Sequence, residues 1–472
     1  MDLTQASPEA YFRAELDAST LTRPMWMLWI LSAGLIALDG FDFFIIGVAM
    51  PFIRRDFGLS AGWVGAIATA ALAGALVGSL TLGPVTDRVG RQLMLVVDIG
   101  LFVIASAATA LAWNAWSLLF FRFLVGVGIG ADYPISVAYI TENVPARIRG
   151  RMVIGAFSFQ SIGALLGAVV GWATIWAFQQ TQPDLAVGYA WRWMLGVGVV
   201  LSLLVGGLRL LFLLESPSYY LAKGNFVAAS EAASELLDKE ITLKPAARQN
   251  VAKNNNEQPE DSKAKGLGYR DLFSLQYWRQ TTLASVPWFL QDISTYGIGI
   301  FTPTIIAALT FSDEVDLLSQ EMSSARGAAI VNVFLVLGFL GAVALVDRVG
   351  RIPLQVTGFI GMAIGLSLLS FSGGSTRMGL LFSGFILFNL MMNLGPNSTT
   401  FLLSGELFPP AIRASGAGLA GGIAKSGAVL GALALPILQE SFGLGVVLRS
   451  LAGLCVLAAV VTYLLRTALT SE

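Results

Sequence analysis

Histidine is absent from this chain of 472 residues, cysteine occurs once, and only 12% of the residues are charged. The absence of histidine excludes imidazole catalysis and histidine zinc sites, and it leaves carboxylates as the proton carriers near neutral pH. The single Cys455 excludes a disulfide framework and a cysteine metal cluster, so we expect no cofactor. With 29 Lys and Arg against 30 Asp and Glu, and no basic patch, we expect no nucleic-acid partner.

Most of the chain is apolar. Hydrophobic residues make up 55% of it and the mean hydropathy is +0.72, which is typical of an integral membrane protein. The apolar runs are long enough to cross about 30 Å of hydrocarbon as helices. They predict twelve spans, at residues 25–51, 62–83, 93–112, 116–139, 152–178, 191–214, 281–309, 326–346, 354–371, 378–404, 412–438 and 445–466.

Two motifs each occur twice, at nearly the same spacing. Residues 87–91 read Asp-Arg-Val-Gly-Arg and recur at 347–351, and the pattern Glu-x-x-Pro-x-x-x-Arg begins at Glu142 and again at Glu406. Such a repeat predicts two halves of parallel topology with a substrate site near the membrane midplane between them. The predicted fold is an all-α integral membrane protein whose twelve transmembrane helices form two pseudo-symmetric six-helix bundles.

One long hydrophilic stretch separates the two bundles. We predict a tail at 1–24, a bundle at 25–214, a linker at 215–280, a second bundle at 281–466 and a tail at 467–472. Asn225–Leu237 is predicted to be a surface helix, and residues 239–266 are predicted to be flexible. If the first tail is cytoplasmic, most Lys and Arg lie in inner loops and tails, which is the positive-inside pattern of a plasma membrane or bacterial inner-membrane protein.

The seventh span carries a polar face around Asp292. Trp288, Asp292 and Tyr296 are spaced four residues apart and stack on one side of a helix. An ionisable residue at bilayer depth costs about 2.5–3.5 kcal/mol on insertion scales, so it normally faces a cavity. We interpret this face as a substrate site; the alternative is a carboxylate that only pairs two helices.

Charged residues also lie within the first and fourth spans. Asp39 and Asp42 are three residues apart on one helical face, where two carboxylates would not both hold a full charge. Arg122 of the fourth span is a natural counter-charge for them and for Asp132. The alternative is that these groups only pack helices beside Gly40.

The repeat also predicts which polar residues converge. A shift of 264 residues takes Tyr133 to Asn397, and it takes Gln160 to the position before Lys425. Hydroxyl and amide donors with a lysine suit an oxyanion, and Asp292 can accept a hydrogen bond from a protonated one. Since a carboxylate disfavours a fully ionised ligand, the residues indicate proton-coupled transport of a small, partly protonated anion.

The repeated motifs lie in connections on the predicted cytoplasmic side. Their acids and arginines can form ion pairs that break as the two bundles rock, so we interpret them as gating residues rather than substrate ligands. The predicted gating residues are Asp87, Arg88, Arg91, Glu142, Arg149, Asp347, Arg348, Arg351, Glu406 and Arg413.

These motifs resemble known transporters. Residues 83–91, Gly-Pro-Val-Thr-Asp-Arg-Val-Gly-Arg, resemble the signature loop of the major facilitator superfamily. Residues 130–136, 288–296 and 393–401, the last reading Asn-Leu-Gly-Pro-Asn-Ser-Thr-Thr-Phe, resemble its phosphate:proton symporters, and the resemblance runs through nearly all twelve spans.

The resemblance implies import of H2PO4⁻ together with protons, by alternating access between the two bundles. It implies substrate contacts from Tyr133, Gln160, Trp288, Asp292, Tyr296 and Asn397, supported by Lys425. It implies proton passage through Asp39, Asp42 and Asp132, to which we add Arg122 and Asp292. The expected partners are inorganic phosphate, protons and the lipid bilayer, and we expect a monomer.

Three other functions remain open. The Asp-Gly-Phe-Asp stretch at 39–42 also resembles aromatic-acid:proton symporters, so the same fold could carry an organic acid. A nutrient sensor that binds but barely transports is the second alternative, although the linker has no recognisable signalling domain. An intramembrane enzyme is the third, but no nucleophile-plus-base arrangement supports it, so we expect no enzymatic activity.

Overall fold

The computed structural model describes residues 7–89, 91–212, 215–244, 270–310, 316–372, 377–408 and 412–469. It describes the backbone alone at residues 80, 82–89, 91–95, 98, 131–135, 137–138, 222, 310 and 413–414. The described chain forms helices throughout. In chain order they are α1 (Pro8–Ala18), α2 (Arg23–Phe57), α3 (Ala61–Val89), α4 (Arg91–Ala110), α5 (Ala115–Asn143), α6 (Ala146–Thr181), α7 (Ala186–Leu211), α8 (Pro217–Ala222), α9 (Phe226–Leu237), α10 (Trp278–Ile300), α11 (Thr302–Thr310), α12 (Leu317–Val349), α13 (Arg351–Ser370), α14 (Met378–Leu394), α15 (Pro396–Glu406), α16 (Arg413–Phe442) and α17 (Leu444–Leu464).

Each predicted span corresponds to one helix or to one bent pair of helices. Within the described residues, nine helical stretches are long and apolar enough to cross a membrane, and ten if α10 and α11 count as one bent span. The remaining two spans are α4 and α5, whose fully described apolar parts are shorter. Several helices run past the predicted edges, because their polar ends continue the backbone hydrogen bonding beyond the apolar run.

Two predicted spans are broken rather than continuous. The axes of α10 and α11 differ by 62°. The other break separates α14 from α15 at Gly395 and Pro396. Proline has no N–H to donate and its ring clashes with the preceding turn, which explains why the second helix starts there. Non-helical backbone at membrane depth is tolerated where it is buried in protein, and both breaks lie on helices that carry the predicted substrate residues.

The two bundles repeat one packing pattern. In the first, α2 packs against α6 and α7, α3 packs against α5, and α4 packs against α5 and α7. In the second, α10 packs against α16 and α17, α12 packs against α14, and α13 packs against α14 and α17. The bundles meet along α6–α12 and α3–α16, which the same repeat relates to each other. The predicted pseudo-symmetry is therefore present in the packing.

A small cap covers one end of the first bundle. Phe12 and Leu16 of α1 pack in one buried cluster with Leu236 of α9 and Met25 of α2. The Thr22 hydroxyl fixes the cap by donating to the Leu236 carbonyl at 2.6 Å. We call this end of the molecule the cap end and the opposite end the far end.

The cap contains the helix predicted at Asn225–Leu237 and adds detail to the predicted tail and linker. The segment predicted as an N-terminal tail contains α1, and the predicted surface helix, observed as α9, buries its apolar face. Ala229, Ala233 and Leu236 recur at helical spacing and supply that face. Ile241 and Leu243, placed in the predicted flexible stretch, are buried as well, while residues 245–269 lie outside the described chain.

Close contact between α2 and α6 depends on Gly40. A Cβ atom at this position would collide with the main chain of Gln160, so the Gly40→Ala variant must push the helices apart. Overpacking of this kind costs about 1–3 kcal/mol, and we expect a lower melting temperature in detergent. The matched control is Gly196→Ala on α7, where a Cβ meets nothing within 4 Å. Equal melting temperatures for both variants would contradict this packing.

Candidate functional site

Polar side chains from both bundles meet around Tyr296 of α10. The Lys425 ammonium of α16 donates to the Tyr296 hydroxyl at 3.0 Å, and its Nζ lies 3.6 Å from Asp292 Oδ2. From the other bundle, Gln160 Nε2 of α6 donates to the same hydroxyl at 3.4 Å. Asp292 and Tyr296 are 2% and 4% exposed. We call Gln160, Asp292, Tyr296 and Lys425 the central cluster.

The central cluster holds one carboxylate and one ammonium in a buried setting. A charge taken out of water needs a partner, and Lys425 and Asp292 provide one for each other. Trp288 lies one turn before Asp292 on the same helix. The three residues of the predicted polar face therefore do share one surface of α10, and that surface faces both α16 and α6.

A chain of amides lies beside the central cluster. Gln291 Nε2 donates to Asn397 Oδ1 at 3.2 Å, and Asn397 Nδ2 donates to Asn393 Oδ1 at 2.6 Å. Asn393 in turn donates to the Ser161 hydroxyl of α6, at 3.1 Å. Ser161 follows Gln160 in the chain. The chain of amides therefore also joins the two bundles, at the same depth as the central cluster.

Aromatic rings pack across the interface between the two bundles, which we call the seam, on the cap side of the central cluster. Phe401 of α15 lies with its ring centroid 4.4 Å from that of Phe157 in the other bundle and 6.1 Å from that of Trp288. Tyr296 itself packs edge-on against Phe43 of α2, at 5.8 Å. The cluster is thus lined by aromatic surface as well as by hydrogen-bonding groups.

A second buried charge pair lies inside the first bundle. Arg122 Nη1 donates to both carboxylate oxygens of Asp42, at 2.8 and 2.7 Å, and Arg122 Nη2 donates to the Asp42 carbonyl at 3.3 Å. Arg122 is fully buried and Asp42 is 8% exposed. Asp39, one turn away, is buried too. The predicted counter-charge is therefore in contact with Asp42, whereas the Asp132 and Tyr133 side chains lie outside the described ones.

Ion pairs link the repeated motifs at the cap end. Arg351 donates to both carboxylate oxygens of Glu406, at 3.1 and 3.0 Å, and its Nη1 lies 3.7 Å from Asp347. Asp347 also accepts from Arg151 of α6 at 2.9 Å, so this pair joins the two bundles.

The other predicted gating residues do not all join this network. Glu142 accepts from the Ser216 hydroxyl, at 2.8 Å, within the first half of the chain. Arg149 is half-buried and Arg348 is exposed, with no ion pair for either among the described contacts. The side chains of Asp87, Arg88, Arg91 and Arg413 lie outside the described ones.

Sequence reasoning gave no site role to three residues that the structure brings to these contacts. Gln291 precedes Asp292 and projects about 100° away from it around the helix, so the four-residue spacing could not find it. Asn393 and Arg151 were visible as polar residues, but only the packing gives them partners in the other bundle. Among the described residues, no group of three or more Cys, Asp or Glu side chains is placed to hold a metal ion.

Two helical bundles that enclose a polar cluster at their interface are typical of membrane transporters. Residues 27–469 match the family described as "Sugar (and other) transporter", and the chain belongs to this family. Its fold is that of the major facilitator superfamily, as the sequence predicted. The backbone is similar to that of the xylose transporter XylE from Escherichia coli in a partially occluded inward open conformation, with a TM-score of 0.72, 20% identity and coverage of 94% of this chain and 98% of that one.

Named relatives differ in the substrate that their names give. The probable inorganic phosphate transporter 1-10 of Oryza sativa subsp. japonica is 31% identical over 471 residues, covering 90% of this chain and 84% of the relative. The niacin transporter NiaP of Acinetobacter baylyi is 26% identical over 417 residues, covering 85% and 84%. These similarities establish the family and leave the substrate to be argued from the site.

We expect the stability of the folded protein to depend strongly on the Asp42–Arg122 ion pair. Arg122→Met leaves an uncompensated carboxylate in the bundle, which costs about 3–5 kcal/mol when a buried pair is broken. We expect a large fall in the melting temperature of the purified protein. The double variant Asp42→Leu, Arg122→Met removes both charges and should recover much of the loss. A double variant no more stable than Arg122→Met would argue against the pairing.

Proposed function

We propose that this protein is a proton-coupled symporter that imports inorganic phosphate, as H2PO4⁻, across a plasma or bacterial inner membrane. The observation that carries the proposal is the central cluster, in which a lysine, a carboxylate, a phenol and an amide from both bundles converge on one point. A substrate held there touches both bundles at once, as alternating access around a midplane site requires.

The chemistry of the cluster suits a monovalent oxyanion that keeps a proton. The Lys425 ammonium and the Gln160 amide donate hydrogen bonds, and the Tyr296 hydroxyl, which accepts from both of them, has an O–H group of its own with which to donate to a ligand. Ionised Asp292 only accepts hydrogen bonds, so it matches the OH of H2PO4⁻, whereas protonated Asp292 can also donate to a bare oxygen of the anion. We assign further contacts to Trp288, one turn before Asp292, and to Asn397 of the neighbouring amide chain, with Tyr133 assigned from the sequence repeat.

Charge balance explains why a proton would accompany the anion. Lys425 and Asp292 together carry no net charge, so an incoming H2PO4⁻ would leave one negative charge in a buried setting. Protonation of Asp292 restores neutrality and frees Lys425 for the anion. We propose that Asp42 with Arg122, together with Asp39 and Asp132, passes protons through the first bundle.

The ion pairs of the predicted gating residues fit a transport cycle in which the two bundles rock about this site. In the structure two contacts cross the seam toward the cap end: Arg151 binds Asp347, and Phe157 packs on Phe401. Opening this end would break the exposed pair, which costs little since surface ion pairs contribute about 0–1 kcal/mol. We propose that the cap end faces the cytoplasm, with both termini, in agreement with the positive-inside pattern. The similarity to a named phosphate transporter supports the substrate.

A second candidate substrate is an aromatic or other organic carboxylate. The rings of Trp288, Phe401 and Phe157 beside the central cluster offer apolar surface that phosphate does not need. A carboxylate group could bind Lys425 in the same way, and the similarity to a named niacin transporter points in this direction. Uptake of labelled phosphate and of labelled nicotinate, each measured with and without an excess of the other, distinguishes the two: nicotinate uptake without phosphate uptake favours the organic acid.

Asp292→Asn tests the proposed coupling. The amide keeps the shape but cannot take up a proton, so we expect phosphate uptake driven by a pH gradient to fall to background in proteoliposomes. The control is Asp184→Asn, an exposed carboxylate between α6 and α7. Wild-type uptake by Asp292→Asn would remove this residue from the mechanism.

Lys425→Met tests the proposed anion contact. A hydrogen bond to a charged group contributes about 1.5–3 kcal/mol, so we expect the half-saturating phosphate concentration to rise about tenfold or more. Lys223→Met, on the exposed surface of the cap end, is the control. An unchanged half-saturating concentration would place the anion elsewhere.

A further inference from the structure

Two asparagines of α14 make the same contact with α12. Asn389 Nδ2 donates to the Val331 carbonyl at 3.0 Å, and one turn later Asn393 Nδ2 donates to the Leu335 carbonyl at 2.9 Å. Both side chains are almost fully buried, at 3% and 1% exposure. As far as packing of α14 on α12 is concerned, the two residues are equivalent.

Among the described contacts, Asn393 has further partners and Asn389 has none. Its second amide hydrogen points to the Ser161 hydroxyl of α6, at 3.1 Å, and its Oδ1 accepts from Asn397 Nδ2 at 2.6 Å. One amide therefore contacts three helices, two in its own bundle and one in the other. With three hydrogen bonds it uses both of its N–H groups, and any rotation of the amide breaks more than one of them.

Asn397 is held from both sides. Gln291 donates to its Oδ1 while Asn393 accepts from its Nδ2, so the orientation of the Asn397 amide is fixed by these two neighbours. Because Oδ1 and Nδ2 have opposite hydrogen-bonding character, this orientation decides whether Asn397 presents a donor or an acceptor to a ligand.

We propose that Asn393 is a positioning residue: it orients Asn397 and, through Ser161, makes that orientation depend on contact between the two bundles. When the bundles separate at this level, Asn393 loses its hydrogen bond to Ser161. The Asn393 amide is then less firmly oriented, and so is the Asn397 amide that it binds. The affinity of the site is thereby linked to closure around the ligand. The inference rests on the proposed function only in taking Asn397 as a substrate contact.

Transport kinetics test the positioning role. We expect Asn393→Ala to raise the half-saturating concentration of phosphate about fivefold, the effect of one net hydrogen bond, with a smaller change in maximal rate. Asn389→Ala removes the same α12 bond and should leave the half-saturating concentration unchanged. In an Asn397→Ala background, Asn393→Ala should add little, because residues that act through one another are not additive. The positioning role would be wrong if the effects of Asn393→Ala and Asn397→Ala on the half-saturating concentration multiplied in the double variant. It would also be wrong if Asn389→Ala raised that concentration as much as Asn393→Ala does.

A distance measurement tests the link to closure without any substrate. Spin labels at Asp184→Cys and Glu440→Cys report the separation of the bundles at the far end, and the native Cys455 is buried and unlabelled. Ser161→Ala and Asn393→Ala should both shift the distance distribution, while Asn389→Ala should match the parent. Distributions that all coincide would refute the link. If the parent protein took up no phosphate, only the proposed function would be refuted. The spin-label distances would then still decide whether the Asn393–Ser161 contact is linked to closure.

Discussion

Charge burial without water is the constraint on which this structure depends. Every ionised or strongly polar side chain inside a bundle has to find its partner within the protein, since hydrocarbon offers none. Arg122 finds Asp42 within the first bundle, and Lys425 finds Asp292 within the second. The two pairs differ in surroundings: the first is enclosed by its own bundle, whereas the second lies beside the seam and contacts the opposite bundle through Gln160. The first pair therefore links helices of one bundle, whereas the second lies where helices of both bundles meet.

Small residues make those contacts possible. Gly40 lets the backbones of α2 and α6 touch next to Gln160, and Gly126 does the same for α3 and α5. In lipid, helix association relies on close packing and interhelical hydrogen bonds rather than on the hydrophobic effect. The same glycines that bring helices together therefore fix the depth at which polar residues of neighbouring helices meet.

The amide chain shows how helix breaks serve the site. Gly395 and Pro396 interrupt the tenth span between Asn393, which reaches Ser161 of the other bundle, and Asn397. The short α15 then carries Phe401 against Phe157 on the cap side. The hydrogen bond between the two asparagines therefore spans the break and links α14 to α15.

The amino-acid sequence by itself determined the membrane class, the twelve spans, the two-fold repeat and the polar face of Trp288, Asp292 and Tyr296, because hydropathy and helical spacing are local properties of the chain. It also anticipated that Gln160 and Lys425 share a depth, since the repeat offset carries that information. Only the tertiary structure decided that Arg151 pairs with Asp347 across the seam. It likewise decided that Asn393 reaches Ser161 and that the predicted tail folds into a cap. Such contacts depend on the rotation and tilt of helices far apart in the chain, and no periodicity in one helix specifies its orientation against another.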